Sequence, residues 1–205
     1  MSLDKSKKRQ NLDNDLSEIN ELEKKANSFG FGIYKINQRN KAVFTQTINE
    51  NLETLIRSKH LTNAEYTFLF MLMPFVEMHS NAIINKEGQF MTVTELASTL
   101  NRERTRTSKT ITQLLEKGII FEFVNALEIK KYKRNISQRP LFMNPEIIFR
   151  GDRNRVNSTL TRLVMEFDML ENQGIKLNWK LFLKSGEEHG KLYRRNTYLK
   201  LKKYL

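Results

Sequence analysis

The sequence predicts a mostly helical α+β chain, and three observations carry that expectation. Apolar residues recur at helical spacing in several stretches, each bounded by Ser, Thr, Asn or Asp at one end and by Gly or a cation at the other. Short aromatic and β-branched runs follow Gly118, where the helical period gives way to strand-like segments. Among the 205 residues, 39% are hydrophobic and 10% aromatic, enough to bury one core with appendages or two small ones.

The expected elements begin after Met1 to Asn11, a polar and basic stretch that should fray. Leu12, Leu16, Ile19, Leu22 and Ala26 lie at helical spacing with charges between them, predicting a helix from Asp15 to Asn27 with one narrow apolar stripe. Such a stripe needs a partner, either its own domain or a second copy. Ser28 to Ile36 opens on a glycine break and reads as a strand. Gly30 and Gly32 form no phosphate loop, because no helix start carrying Lys and Ser or Thr follows them. A short amphipathic piece runs from Asn49 to Ser58, and Arg57, Lys59 and His60 cluster at its end.

The strongest helix follows Leu61-Thr62-Asn63, where Thr62 or Asn63 can cap Glu65 onward and Ala64 to Met78 is apolar nearly all round. Pro74 should kink it or end its first half. Phe68, Met71, Leu72, Phe75 and Met78 are read as core rather than as a ligand pocket. Asn85 to Gln89 is a turn, flanked by two expected small strands at Ala82 to Ile84 and Phe90 to Thr92.

Thr92 and Glu95 stand at capping-box spacing and Leu96 and Leu100 lie one turn apart, which predicts a helix from Val93 to Leu100. A second helix from Arg104 to Lys117 turns Thr107, Ile111, Leu114 and Leu115 inward and leaves Arg104, Thr105, Arg106, Ser108, Lys109 and Thr112 outward. Together with Arg102, this puts three arginines and a lysine within eight residues at the start of one helix. A merely solvated face has no reason for that crowding, whereas a surface that touches base edges and phosphates does. Gly118 stops the helix, and Ile119 to Val124, Leu127 to Arg134 and Gln138 to Met143 are strand-like. Lys130, Lys131, Lys133, Arg134 and Arg139 surround the polar tip from Asn135 to Gln138, where a hairpin would reach a phosphate or a minor groove. Helix, turn, helix, glycine stop and strand form the start of a winged helix-turn-helix.

Residues Thr92 to Ile120 resemble the winged helix-turn-helix of MarR-like regulators and, more closely, that of the RepL replication proteins of Gram-positive plasmids. Leu141-Phe-Met-Asn-Pro-Glu-Ile-Ile-Phe-Arg-Gly151 is similar to the aromatic, Asn-Pro, apolar, Gly segment that follows the wing in the RepL family. The RepL resemblance implies a plasmid or phage protein that binds iterated or palindromic origin sites and recruits host replication proteins. The MarR-like resemblance implies a transcriptional regulator that binds its own promoter and senses a ligand.

Beyond the motif, Val156, Leu160, Leu163, Val164, Phe167 and Leu170 predict a helix from Arg153 to Asn172, closed by Gly174. Its face is broad enough to serve as core or as a dimer surface. Ile175 to Leu183 should be extended, and Lys191 to Leu205 either extended or a basic helix. Four regions are therefore expected: an N-terminal tail and helix at 1–28, a strand and connecting helix at 29–60, the winged helix-turn-helix at 61–150, and a C-terminal extension at 151–205.

Charge agrees with a polyanionic partner. The net charge is +12. Asn101 to Arg139 holds ten Lys or Arg against four Glu, and Leu141 to Leu205 thirteen against seven acids. With no Cys there is no disulfide framework, thiolate zinc site or cysteine nucleophile. His60, His79 and His189 are scattered without metal-ligand spacing, and Glu187-Glu188-His189 reads as a loop between glycines. Tyr193 beside Arg194 and Arg195 suggests DNA cleavage, but position 192 is Leu where tyrosine recombinases would need Arg. The apolar run Tyr66 to Val76 is far short of the roughly 20 residues a membrane span needs. The Lys-, Asp- and Asn-rich N-terminus contains no secretory signal, so a cytoplasmic protein is expected. The expectation is a DNA-binding protein that is not an enzyme, holds no cofactor or metal, and acts as a homodimer on double-stranded DNA. Its dimer surface is expected on the C-terminal helix rather than the N-terminal stripe. The competing expectation is a structural interaction protein whose positive charge is incidental.

Overall fold

The computed structural model describes residues 21–29, 43–123 and 140–203. Residues 1–43 and 44–205 form separate compact units. In the first, helix α1 covers 21–28, and its Leu22 is 57% exposed. Leu12, Leu16, Ile19 and the expected strand beyond Phe29 lie outside the described residues.

The second unit is α+β. Strand β1 (Gln46–Thr47) leads into α2 (Asn49–Arg57) and α3 (Asn63–Leu72). Thr62 and Glu65 close the capping box on α3, and Pro74 ends that helix by converting Met73–Phe75 into a 3-10 turn. The helix therefore stops short of Met78, which is 56% exposed and not core, as is Phe70 at 52%. Phe68, Leu69 and Leu72 instead fill the main core.

Helices α4 (Val93–Thr99) and α5 (Arg104–Glu116) follow, then strands β2 (Ile120–Glu122), β3 (Leu141–Met143) and β4 (Ile148–Phe149). Strands β2 and β3 pair antiparallel, with Ile120 opposite Met143. On the other edge of β3, Ala82 bridges Phe142 and the Ile83 N–H donates to the Leu141 carbonyl at 2.8 Å. The order across this small sheet is thus 82–83, β3, β2. The expected strands at Ala82 to Ile84 and Phe90 to Thr92 are reduced to single bridges, Ile84 pairing with Phe90.

Two buried asparagines tie this layer together. Asn81, at φ +56°, donates from Nδ2 to the carbonyls of Met143 and Ile148 at 3.2 and 2.7 Å. Asn144 donates to the Gly118 carbonyl at 2.7 Å and accepts the Glu146 N–H at 2.9 Å. Gly118 itself has φ +69°, and a Cβ there would stand 2.8 Å from Met169 Cβ, so the stop after α5 admits only glycine comfortably.

The C-terminal part departs from its prediction. In place of one helix from Arg153 to Asn172 there is strand β5 (Val156–Asn157), helix α6 (Ser158–Phe167) and helix α7 (Met169–Asn172). Asn157 caps α6 by accepting the Leu160 N–H, and Asp168 breaks the two helices apart at φ +31°. Strands β6 (Trp179–Phe182) and β7 (His189–Arg194) then form a three-stranded sheet in the order β5-β7-β6, and the chain continues into helix α8 (Arg195–Lys202). Gly190 lets β7 pass against α6, since a Cβ would overlap the Thr161 side chain.

Val156, Leu160 and Val164 pack with Phe121, Phe149, Leu181 and Leu192 into a second core. The face expected to pair two copies is thereby covered by its own sheet, Phe167 alone of its members being 51% exposed. A helical period cannot distinguish a core face from an oligomer face, because both are apolar stripes. Among the described residues no helix is long and apolar enough to cross a membrane.

Candidate nucleic-acid interface

The geometry begins with α4. The Thr92 N–H donates to Glu95 Oε2 at 2.7 Å and the Glu95 N–H returns to Thr92 Oγ1 at 3.1 Å, fixing the first turn. The Thr92 backbone and hydroxyl together hold the Glu95 carboxyl below its ordinary pKa. At the turn after α4, Asn101 adopts φ +50° and the Arg102 N–H donates to the Ala97 carbonyl at 2.8 Å, which redirects the chain into α5.

Helix α5 buries Thr107, Thr110, Ile111 and Leu114. Threonines tolerate this position because their hydroxyls donate to carbonyls one turn back, Thr107 to Glu103 and Thr110 to Arg106, each at 2.9 Å. Thr110 thus joins Thr107 on the inward face, beyond the residues the helical period selects. On the opposite side Arg104, Thr105, Arg106, Ser108, Lys109 and Thr112 are all exposed. Arg104 is not free to swing, because its Nε donates to Thr94 Oγ1 at 3.0 Å. Thr94, Arg104, Ser108 and Thr112 form the polar wall of a cleft of about 410 Å³, which Ile111, Leu115 and Glu122 also line.

Arg102 is placed differently from its neighbours. It is half-buried, with its guanidinium carbon 4.7 Å above the Phe68 ring centre. Burial first, and the Arg106 charge second, hold its pKa below the ordinary arginine value. Lys117, just past α5, bonds both oxygens of Glu65 at 2.8 Å and so ties the end of α5 to the start of α3. Burial of Glu65 would raise its pKa, but Lys117 and the Thr62 N–H and hydroxyl outweigh that and leave it lowered.

The five hairpin cations Lys130, Lys131, Lys133, Arg134 and Arg139 lie outside the described residues. Of the C-terminal cations, Arg195 is engaged with Glu171 at 2.8 Å, Lys202 faces the Tyr198 ring at 5.7 Å and Arg194 stacks at 5.2 Å over Trp179.

Two features were not legible beforehand. His79 and His189, far apart in sequence, line one cleft of about 440 Å³ together with Glu77, Arg155, Ser158 and Glu188. Among the described residues no group of three or more His, Cys, Asp or Glu could hold a metal ion. The second is a buried charge cluster, in which Lys180 Nζ lies 3.0 Å from Glu146 Oε2 and 2.6 Å from Asp168 Oδ1. All three residues are 8% exposed or less. Only folding brings them together, so no sequence spacing announces them.

The fold and this surface define an α+β protein with an exposed, cation-bearing helix. No family model matches the chain, and no solved structure matches it. It is similar to a protein of Bacillus thuringiensis described as an uncharacterized 23.6 kDa protein, at 29% identity over 135 residues. That match covers 64% of this chain and 65% of the relative's length.

Proposed function

We propose that this protein binds double-stranded DNA sequence-specifically through a winged helix-turn-helix, with α5 entering the major groove. One observation carries the reading. The small sheet runs 82–83, β3, β2, with α4 and α5 connecting its first strand to β2. That order, with two helices leading into β2, supports a winged-helix reading. The outward face of α5 supports the reading chemically, because it carries three cations and three hydroxyls with no apolar side chain among them.

The role proposed is replication initiation or maintenance of a plasmid or phage, as the RepL resemblance implies. A MarR-like transcriptional regulator is the alternative. Either would act as a homodimer in the cytoplasm, and the N-terminal stripe now supplies the proposed pairing surface, since the C-terminal face is covered.

The test is titration of fluorescein-labelled selected and random duplexes at several salt concentrations. Tighter binding to a duplex selected from a random library than to the random duplex, each affinity falling in logarithm by about 0.9 per phosphate contacted as log salt rises, supports the reading. No binding to any duplex at moderate salt overturns it in favour of a structural interaction protein.

A further inference from the structure

We infer that Arg104 is the residue that selects a guanine, and that Thr94 positions it to do so. The inference rests on the DNA-binding reading above and adds to it the identity of one base and of its reader.

An arginine recognises guanine by donating two parallel hydrogen bonds to O6 and N7 on the major-groove edge. The guanidinium offers two edges for this, Nε with one terminal nitrogen or the two terminal nitrogens together. Arg104 has spent its Nε on Thr94 Oγ1 at 3.0 Å, so only the terminal edge remains, and it must point along the side chain. Thr94 stands in the first turn of α4, whose backbone is pinned by the Thr92–Glu95 box. The tether therefore joins the reader to the rigid preceding helix, and the ordering entropy of a long side chain is met before DNA arrives.

The neighbouring arginines differ. Arg102 sits over the Phe68 ring and is half-buried, so its charge is turned to the core helix. Arg106 is exposed on the outward face, and no tether comparable to Arg104's holds it among the described contacts. A fixed, end-on fork suits a planar base edge, whereas an untethered cation suits a phosphate, which accepts from many directions. Arg104 also begins α5, and in helix-turn-helix docking the first residues of the second helix meet base edges.

The experiment starts from duplexes selected out of a random library by the wild-type protein. Each guanine of the consensus is replaced in turn by 7-deazaguanine, which keeps the Watson–Crick pair and loses N7. At one guanine the wild type should lose roughly 10- to 150-fold in affinity, the range of the one charge-assisted hydrogen bond that N7 accepts. The Arg104→Ala protein should lose nothing further there. Thr94→Val, isosteric at an exposed position, should reduce the penalty that the 7-deaza replacement at that guanine imposes on the protein. If every 7-deaza substitution costs wild type and Arg104→Ala the same, or Arg104→Ala weakens selected and random duplexes equally, the inference is overturned while DNA binding stands. If the wild type selects no duplex at all, both fall.

Discussion

Replacing Lys180 by Met should destabilise the 44–205 unit more than any conservative core substitution. Lys180 is 2% exposed and its ammonium sits 2.6 Å from Asp168 and 3.0 Å from Glu146. Methionine keeps the apolar stem and nearly the volume, so packing alone costs less than about 1.5 kcal/mol. The larger part is electrostatic, because two buried carboxylates lose their shared cation, and breaking a buried pair from one side costs about 3–5 kcal/mol. For a domain of this size that lowers Tm by about 6–20 °C. Urea unfolding followed by the fluorescence of the single Trp179 reads the loss directly, since Asn51 holds the Trp179 backbone on both sides in the strand that carries Lys180. Burial pushes the Glu146 carboxyl above its ordinary pKa, and Lys180 pulls it partway back. A raised carboxyl makes the native state bind protons more tightly than the unfolded one, so stability falls as pH rises through the raised value. Removing Lys180 raises it further, and the deficit of Lys180→Met should therefore be larger at pH 8 than at pH 5. Adding Glu146→Gln, which keeps an acceptor for the Leu181 N–H, should recover part of the loss. A deficit below about 1 kcal/mol, or one that grows on acidification, would refute the reasoning.

Other consequences are equally specific. The Glu65 pKa is lowered, so its contribution to stability is present above the ordinary carboxylate range and is lost as pH falls through the depressed value; Glu65→Gln should flatten the acid limb of the pH–stability curve below the ordinary carboxylate range. Arg102→Ala should reduce thermal stability through its lost contact with Phe68 while leaving the selected DNA consensus unchanged, and an altered consensus would make Arg102 a reader after all. Sedimentation equilibrium on the intact protein and on a chain starting at Ser28 should show a dimer that dissociates on truncation, since the C-terminal apolar face is already covered. A dimer that survives truncation would implicate a different surface, and a monomer in both would defeat the symmetric arrangement.

What the sequence disclosed follows from what periodicity can carry. Helix α4 with its Thr92–Glu95 box, helix α5 with its outward cations and the Gly118 stop were readable because each rests on residues within a few positions of one another. The end of α3 was readable as a proline effect, though not that it would expose Met78. From Arg153 to Asn172 the reading failed. Asn157 and Asp168 punctuate that segment, yet its apolar residues still fall at helical spacing, and the strand β7 that covers them lies elsewhere in the sequence. The site divided the same way. Outward residues of α5 followed from the helical period, whereas the Arg104–Thr94 tether, the Arg102–Phe68 contact and the Lys180 cluster depend on tertiary approach.

The most direct test of the central claim is fluorescence anisotropy with a selected duplex, comparing wild type with the Arg104→Ala/Arg106→Ala double variant at one fixed salt concentration. Both side chains are exposed, so the variant should melt within a degree or two of wild type. The account predicts that it binds the selected duplex more weakly, by about 1–3 kcal/mol for the base contact of Arg104 and by a further, sequence-independent loss for the phosphate contact of Arg106. Unchanged affinity in a variant that remains folded would remove α5 from the interface and contradict the account.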